Sequence, residues 1–213
     1  GLSHDIHPDF VRETREFIKK FRPTITELND LLSYNKIFIE RTANIGVLPL
    51  DTAINYGATG PILRASGLKF DLRKDDPYSV YNKFEFDIPV GKGLVGTVGD
   101  SWDRYYVRVL EMEQSLNIIE QALDGLPEGD VKAAIPKKVK APKGQIYSRV
   151  ENPKGELGYF IISDGKDNPF RVKVRPPSFV NLSFLGELCK GHLVADVIAI
   201  LGSIDIVLGE IDR

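Results

Sequence analysis

Cysteine is nearly absent from this sequence: Cys189 is the single one in 213 residues. One thiol excludes an intramolecular disulfide and any all-cysteine zinc or iron–sulfur site within the chain, and it points to a reducing compartment. A charge excess of either sign is missing too. Lys and Arg number 28 against 30 Asp and Glu, a formal net charge of -2, which argues against nucleic acid as a partner because such binders carry a basic face. Long hydrophobic runs are also lacking. The most apolar stretch, Leu193 to Leu208, includes Asp196 and Asp205 and is too short and too charged to span a bilayer. Any membrane association is therefore expected to come through a partner. The opening GLSHDIHPDF has neither the basic n-region nor the apolar h-region of a signal peptide. Its first residue is Gly rather than Met, as expected of a processed, trimmed or partial chain.

What is present suffices for a core. Hydrophobic residues make up 42% and charged residues 27%, the balance of a soluble globular protein with one large domain or two small ones. Pro8 suits a first helical position. Phe10, Val11, Thr14, Phe17, Ile18 and Phe21 then recur at helical spacing, Pro23 interrupts them, and Ile25, Leu28, Leu31 and Leu32 continue on a second helix. A third helix is expected over 37–45, and a short one at DTAINYG capped by Asp51 and stopped by Gly57. Residues 57–100 read as irregular, apart from a short strand in which Phe84, Phe86 and Ile88 alternate.

The strongest helix follows. Asp100 and Asp103 have capping-box spacing, and Trp102, Tyr105, Val109, Met112, Leu116, Ile119 and Leu123 form a long apolar stripe that Gly125 and Pro127 close. Residues 125–144 are a Pro/Lys-rich connector. Strands are expected at Gln145–Val150, Leu157–Ser163 and Phe170–Arg175, then helical segments near Phe179–Leu188 and Leu193–Leu201. The expected fold is mainly α with a small antiparallel sheet. Its parts are a helical portion over 1–124 with an irregular loop at 57–100, the connector, the sheet over 145–178, and C-terminal helices with a tail over 179–213.

Several motifs have a chemical reading beside a plain one. His4 and His7 form HxxH, but a zinc helix uses HExxH and no third ligand is evident, so a loop before a helix is preferred. His192 reads as structural and Cys189 as a buried thiol. GKGLVG, residues 91–96, matches GxGxxG after a strand-like segment, yet it opens into no helix directly and no βαβ unit surrounds it. A bent connector into the Asp100 cap is the simpler account. Arg104, Arg108 and Glu111 share one face of the long helix. Two readings stay open for them: a solvated face of weak pairs, or an internal charged chain between subunits. The tail GSIDIVLGEIDR sets Asp205, Glu210 and Asp212 among apolar residues, which suits a segment tucked into protein, where carboxylates need partners or a wet cavity.

That tail closely resembles the C-terminus of the D-type subunit of NADH-quinone oxidoreductase, the respiratory complex I family related to nickel–iron hydrogenase large subunits. The blocks YGATGPILRASGLKFDLRKDDPYSVY, FEFDIPVGKGLVGTVGDSWDRYYVRVLEMEQSLNIIEQAL and NPKGELGYFIISDGKDNPFRVKVRPPSFVNLS resemble the same family, and LCKGHLVADVIAILGSIDIVLGEIDR is the most specific piece. The resemblance implies a helical bundle of the hydrogenase large-subunit type. It also implies a missing N-terminal half, which in the family supplies the His and Tyr at the quinone headgroup, so no catalytic residue and no metal ligand is expected here. The connector departs from the family by being short.

By resemblance, Val207 would line a quinone cavity, with Asp205, Asp212 and Arg213 around it, at the boundary with the cluster-bearing B-type subunit. Hydrogenases carry a cysteine pair in the corresponding segment and this tail has none. The chain itself is expected to bind no cofactor. The implied complex uses NADH, FMN, iron–sulfur clusters and quinone, and translocates ions or protons. The partners implied are the other complex I subunits, above all the B-type and C-type ones and the membrane subunit at the quinone site. The implied location is peripheral, on the cytoplasmic face of the inner membrane, and the fragment alone is expected to be inactive. Arg104, Arg108 and Glu111 are candidates for charge coupling. The alternatives are a hydrogenase-type large subunit and a purely structural assembly subunit.

Overall fold

The computed structural model describes residues 4–134 and 140–212; residues 135–139 of the connector and Arg213 of the tail lie outside them. Helix α1 (Phe10–Leu28) runs straight through Pro23 and passes into a π turn at Asn29–Ser33. The expected break is therefore corrected. A proline inside a helix costs about 3 kcal/mol, but the apolar stripe either side of it is held: Ile18 and Ile25 are both buried in one cluster with Val109, Leu116 and Leu123. Tertiary packing on α6 (Ser101–Asp124) decides the outcome.

Short helices α2 (Lys36–Thr42), α3 (Leu50–Asn55), α4 (Pro61–Ala65) and α5 (Leu72–Asp75) follow. Helix α2 ends before the expected 45, with Asn44 in the left-handed region at φ 60°. Pro49, not Asp51, holds the N-cap of α3, and Asp51 sits in its first turn. Residues 57–100, read as irregular, contain α4 and α5. The expected strand at Phe84, Phe86 and Ile88 joins no sheet, although Phe84 itself is extended. Side chains of α6 stand in for a partner strand: Gln121 and Gln114 accept from the Glu85 and Asp87 amides at 2.8 and 2.9 Å, and Gln121 donates to the Glu85 carbonyl at 2.7 Å. These two glutamines, seven residues apart, share a helix face.

The long helix matches its expected stripe, with Trp102, Val109, Leu116 and Leu123 buried. Asp100 caps it by accepting from the Asp103 amide at 2.8 Å, but no reciprocal bond closes the capping box. Asp103 Oδ2 instead accepts from the amides of Gly93 and Gly99. The glycine-rich loop thus closes around carboxylates of the chain itself, Asp100 accepting from Thr97. Its glycines serve close approach: a Cβ on Gly91 would stand 1.9 Å from the Ala65 carbonyl oxygen.

Strands β1 (Gly144–Asn152), β2 (Gly155–Ser163) and β3 (Arg171–Arg175) form an antiparallel sheet in the order β1-β2-β3, with Tyr147 opposite Phe160 and Tyr159 opposite Val174. Helices α7 (Pro177–Leu182), α8 (Leu185–Leu188), α9 (Asp196–Ile204) and α10 (Leu208–Ile211) end the chain. A second apolar cluster joins Leu48, Ile62, Phe184, Ile200 and Ile204, so α9 is packed in the core directly before the tail begins. The architecture is α+β as expected. Among the described residues, no helix is long and apolar enough to cross a membrane.

Candidate functional site

The polar face of α6 is not solvated. Arg104 is 0% exposed. It donates to the carbonyls of Gly46 and Gly99 at 2.8 and 2.6 Å and to the hydroxyls of Ser203 and Ser101, both at 2.9 Å. All four partners are neutral. Burial, and then the neighbouring Arg108, push its pKa down to about 9, opposed by Asp100 and Asp103, so it stays charged at neutral pH. One turn further along, Arg108 donates to the carbonyls of Arg104, Ser203 and Ile204 at 2.6, 2.8 and 2.9 Å. It thereby ties off the carbonyl end of α9, which a cation suits. Its Nε stands 3.2 Å from Asp205 Oδ2, an ion pair by distance without hydrogen-bond alignment.

Glu111 accepts from Arg64 Nε at 2.7 Å. Arg64, on α4, is 2% exposed and also reaches Glu151 at 2.9 Å and Asp71 at 3.5 Å. Burial lowers its pKa, but the three carboxylates outweigh that and the net direction is up. Burial also raises the Glu151 carboxyl, partly opposed by Arg64. Asp71 goes the other way: against burial, Arg73 and then Arg64 hold it below its usual range. The sequence reading missed Arg64, Asp71, Glu151 and Lys154. Arg64 and Asp71 lie seven residues apart, but Glu151 reaches them from β1, 87 positions from Arg64, a placement only the fold brings about.

Asp205 follows α9 in the left-handed conformation at φ 58°. Its carboxylate accepts from Lys154 in the β1–β2 turn as well as pairing with Arg108. Val207 is 45% exposed and its amide donates to Ser178 Oγ at 3.3 Å. Glu210 accepts from the Ser178 amide at 2.8 Å. Asp212 is exposed after α10, and Arg213 lies outside the described residues. The structure therefore pairs Asp205 with Arg108, and Glu111 with Arg64, along one cleft of about 500 Å³. The cleft's apolar wall includes Phe21, Met112 and Leu116, and Arg108, Lys154 and Asp205 stand on its charged side.

The remaining candidates have structural places. His192 Nε2 accepts from the Gly46 amide at 3.1 Å. Cys189 is half-buried against the second apolar cluster. His7 is exposed and its Nδ1 accepts from the Asp9 amide.

The whole chain matches the family described as "Respiratory-chain NADH dehydrogenase, 49 Kd subunit", over residues 1–139 and 133–213. It is 54% identical over 217 residues to the D-type subunit of NADH-quinone oxidoreductase from Chlorobaculum tepidum, covering 100% of this chain and 54% of that one. It is 57% identical over 221 residues to a D-type subunit of NADH-quinone oxidoreductase from Cytophaga hutchinsonii, covering 100% and 56%. The chain thus spans about half the length of the curated relatives it matches. With its full length matched and its α+β architecture in place, the chain belongs to the family of the 49 Kd subunit of respiratory-chain NADH dehydrogenase.

Proposed function

We propose that the chain is part of the quinone-site subunit of an NADH:quinone oxidoreductase, and that its tail forms one wall of the cavity in which quinone is reduced. The observation that carries this is the state of the tail. Residues 205–211 leave the core at the end of α9 anchored by ionic and polar contacts, yet they present Val207 at 45% and Leu208 at 71% exposure. An apolar surface on an anchored backbone suits a hydrophobic ligand or a covering subunit. The relatives' names supply the chemical class.

In this reading, electrons from NADH pass through flavin and iron–sulfur clusters held by other subunits, and the last cluster, in the B-type subunit, reduces quinone against this wall. The C-type subunit and one of the membrane subunits together complete the surroundings on the cytoplasmic face of the membrane. Quinone reduction takes up two protons, and Arg104, Arg108, Glu111, Asp205 and Asp212 are the charged groups of this chain placed to sense that change. The chain by itself oxidises no NADH.

The test is Val207→Met in the full-length subunit within the intact complex. Extra bulk at a packed surface typically costs about 1–3 kcal/mol, so quinone KM or inhibitor sensitivity is expected to change roughly fivefold or more. Unchanged quinone kinetics and inhibitor response in an assembled complex would favour a scaffold role instead.

A further inference from the structure

We propose that Lys154, on the turn of the β1–β2 hairpin, is a positioning residue for the tail: together with Arg108 it holds the Asp205 carboxylate and so fixes where Val207 stands. The proposal rests on the quinone-site reading above.

The hairpin is the fixed partner in this contact. Asn152 pairs with Gly155, leaving Pro153 and Lys154 as the two turn residues. Lys154 is tied on both sides: its amide donates to Asn152 Oδ1 at 3.0 Å and its carbonyl accepts from Asn181 Nδ2 at 3.2 Å. Asn181 is 1% exposed and also holds both polar groups of Thr59's backbone. Next in the chain, Gly155 lies against Gly60 so closely that a Cβ on Gly155 would stand 2.5 Å from Thr59 Cγ2. Glu156 completes the seam by donating its amide to Thr59 Oγ1 at 2.9 Å. The turn is thus fastened to the loop before α4 and to α7, and its lysine projects from a rigid base.

The tail is held at fewer points, with Ile206 packed against the core cluster that buries α9. After Ile204 the chain makes an abrupt change of direction, with Asp205 at φ 58°, a conformation most non-glycine residues avoid. Beyond it, Ser178 supplies the side-chain and amide contacts to Val207 and Glu210. Asp205, with Ile206 packed on the core beside it, is where the tail's direction is set. Two cations from different elements meet its Oδ2, Lys154 from the hairpin turn and Arg108 from α6. Arg108 is committed at the same time to the carbonyls of Ser203 and Ile204, so the carboxylate is registered to the end of α9 by one cation and to the hairpin by the other. Removing the Lys154 ammonium leaves the α9 end intact but frees the carboxylate to turn, and Val207 lies two residues on.

The experiment uses the intact complex with the full-length subunit, assayed with a short-chain quinone analogue and, separately, with ferricyanide as an acceptor that takes electrons ahead of the quinone. Lys154→Met is expected to raise quinone KM by about fivefold, the effect of losing roughly 1 kcal/mol of partly exposed ion pair, with kcat changed less and ferricyanide reduction unchanged. Lys154→Arg should return KM to within about twofold of wild type, and Lys154→Met combined with Asp205→Asn should be no worse than the poorer single variant.

Equal defects in Lys154→Met and Lys154→Arg, or additive effects with Asp205→Asn, overturn the proposal. If Lys154→Met prevents assembly, Lys154→Gln is assayed in its place. Failure of that variant too, while Asp205→Asn assembles, means the lysine holds the hairpin and not the tail, which also overturns it. A wild-type KM in Lys154→Met beside an altered one in Val207→Met removes the Lys154 role and leaves the quinone-site reading standing; wild-type behaviour in both removes both.

Discussion

Two arginines of this chain are buried to nearly the same degree and are accommodated in opposite ways. Arg64 is met by Glu111, Glu151 and Asp71, Arg104 by two carbonyls and two serine hydroxyls. The first is a compensated charge, and its guanidinium is held above its ordinary range. The second is a charge solvated by neutral dipoles, and burial together with Arg108 draws it down. The difference teaches where the molecule carries electrostatic tension. Around Arg64 the tension is latent, because removing the cation would leave several carboxylates facing one another. Around Arg104 it is already present in the folded state, next to Arg108 and the end of α9 that leads into the tail.

The largest expected effect follows from the first arrangement. Arg64→Met should destabilise the chain by about 3–5 kcal/mol, because breaking one side of a buried ionic cluster leaves uncompensated charge. Chemical denaturation of this chain at neutral pH is the measurement. A loss under about 1 kcal/mol would mean that Glu151 simply takes up a proton and the carboxylates relax, and the contrast between the two arginines would then be one of geometry alone.

Arg104→Met should cost less, about 1–3 kcal/mol, since it strands the Gly46 carbonyl without a donor, while the Gly99 carbonyl keeps the Leu48 amide at 2.9 Å, and also removes a poorly compensated buried charge. The comparison sharpens if the ordering holds and breaks if Arg104→Met proves the more damaging. In that event Arg104 would be organising the packing of α6 on α9, a role its bond to Ser203 would serve.

How much of this was legible beforehand depends on the range of the interaction that decides each element. The stripe on α6 and the three strands were readable because periodicity and turn residues are local. Pro23 misled because the penalty for a proline is local while the packing that overrides it comes from α6. Phe84, Phe86 and Ile88 alternate as a strand would, but whether an extended segment finds a strand partner or the amides of Gln114 and Gln121 cannot be read from alternation. At the site, the spacing of Arg104, Arg108 and Glu111 put them on one helix face, and the tail carboxylates stood out against their apolar neighbours. The partners that give those groups meaning did not. Arg64 and Glu151 lie 87 positions apart, and Lys154 meets Asp205 across 51.

The smallest expected effect separates the two arginines by pH. Asp71 has a folded-state pKa below its ordinary value. Its contribution is therefore complete above the usual carboxylate range and is lost as the pH falls through that range toward the depressed value. Glu151 has the opposite sign: its pKa is raised in the fold, so the folded chain takes up that proton at a higher pH than the unfolded one, and acidification relieves a cost. Asp71 and Glu151, two of the three carboxylates around Arg64, thus pull the acid limb of the stability curve in opposite directions. Asp71→Asn removes one of them and should flatten the fall in unfolding free energy between neutral pH and the acid range, leaving the Glu151 contribution exposed. Arg104→Met should instead mainly displace the curve, with the smaller change in its acid slope, because the carbonyls and hydroxyls bonded to Arg104 do not titrate there and Asp100 and Asp103 act on it without a direct bond. Denaturant titrations of the two variants across that range make the measurement. Parallel curves for wild type and Asp71→Asn would show that the two carboxyls titrate as one unit, their protons shared between Asp71 and Glu151 and not assigned to either carboxylate.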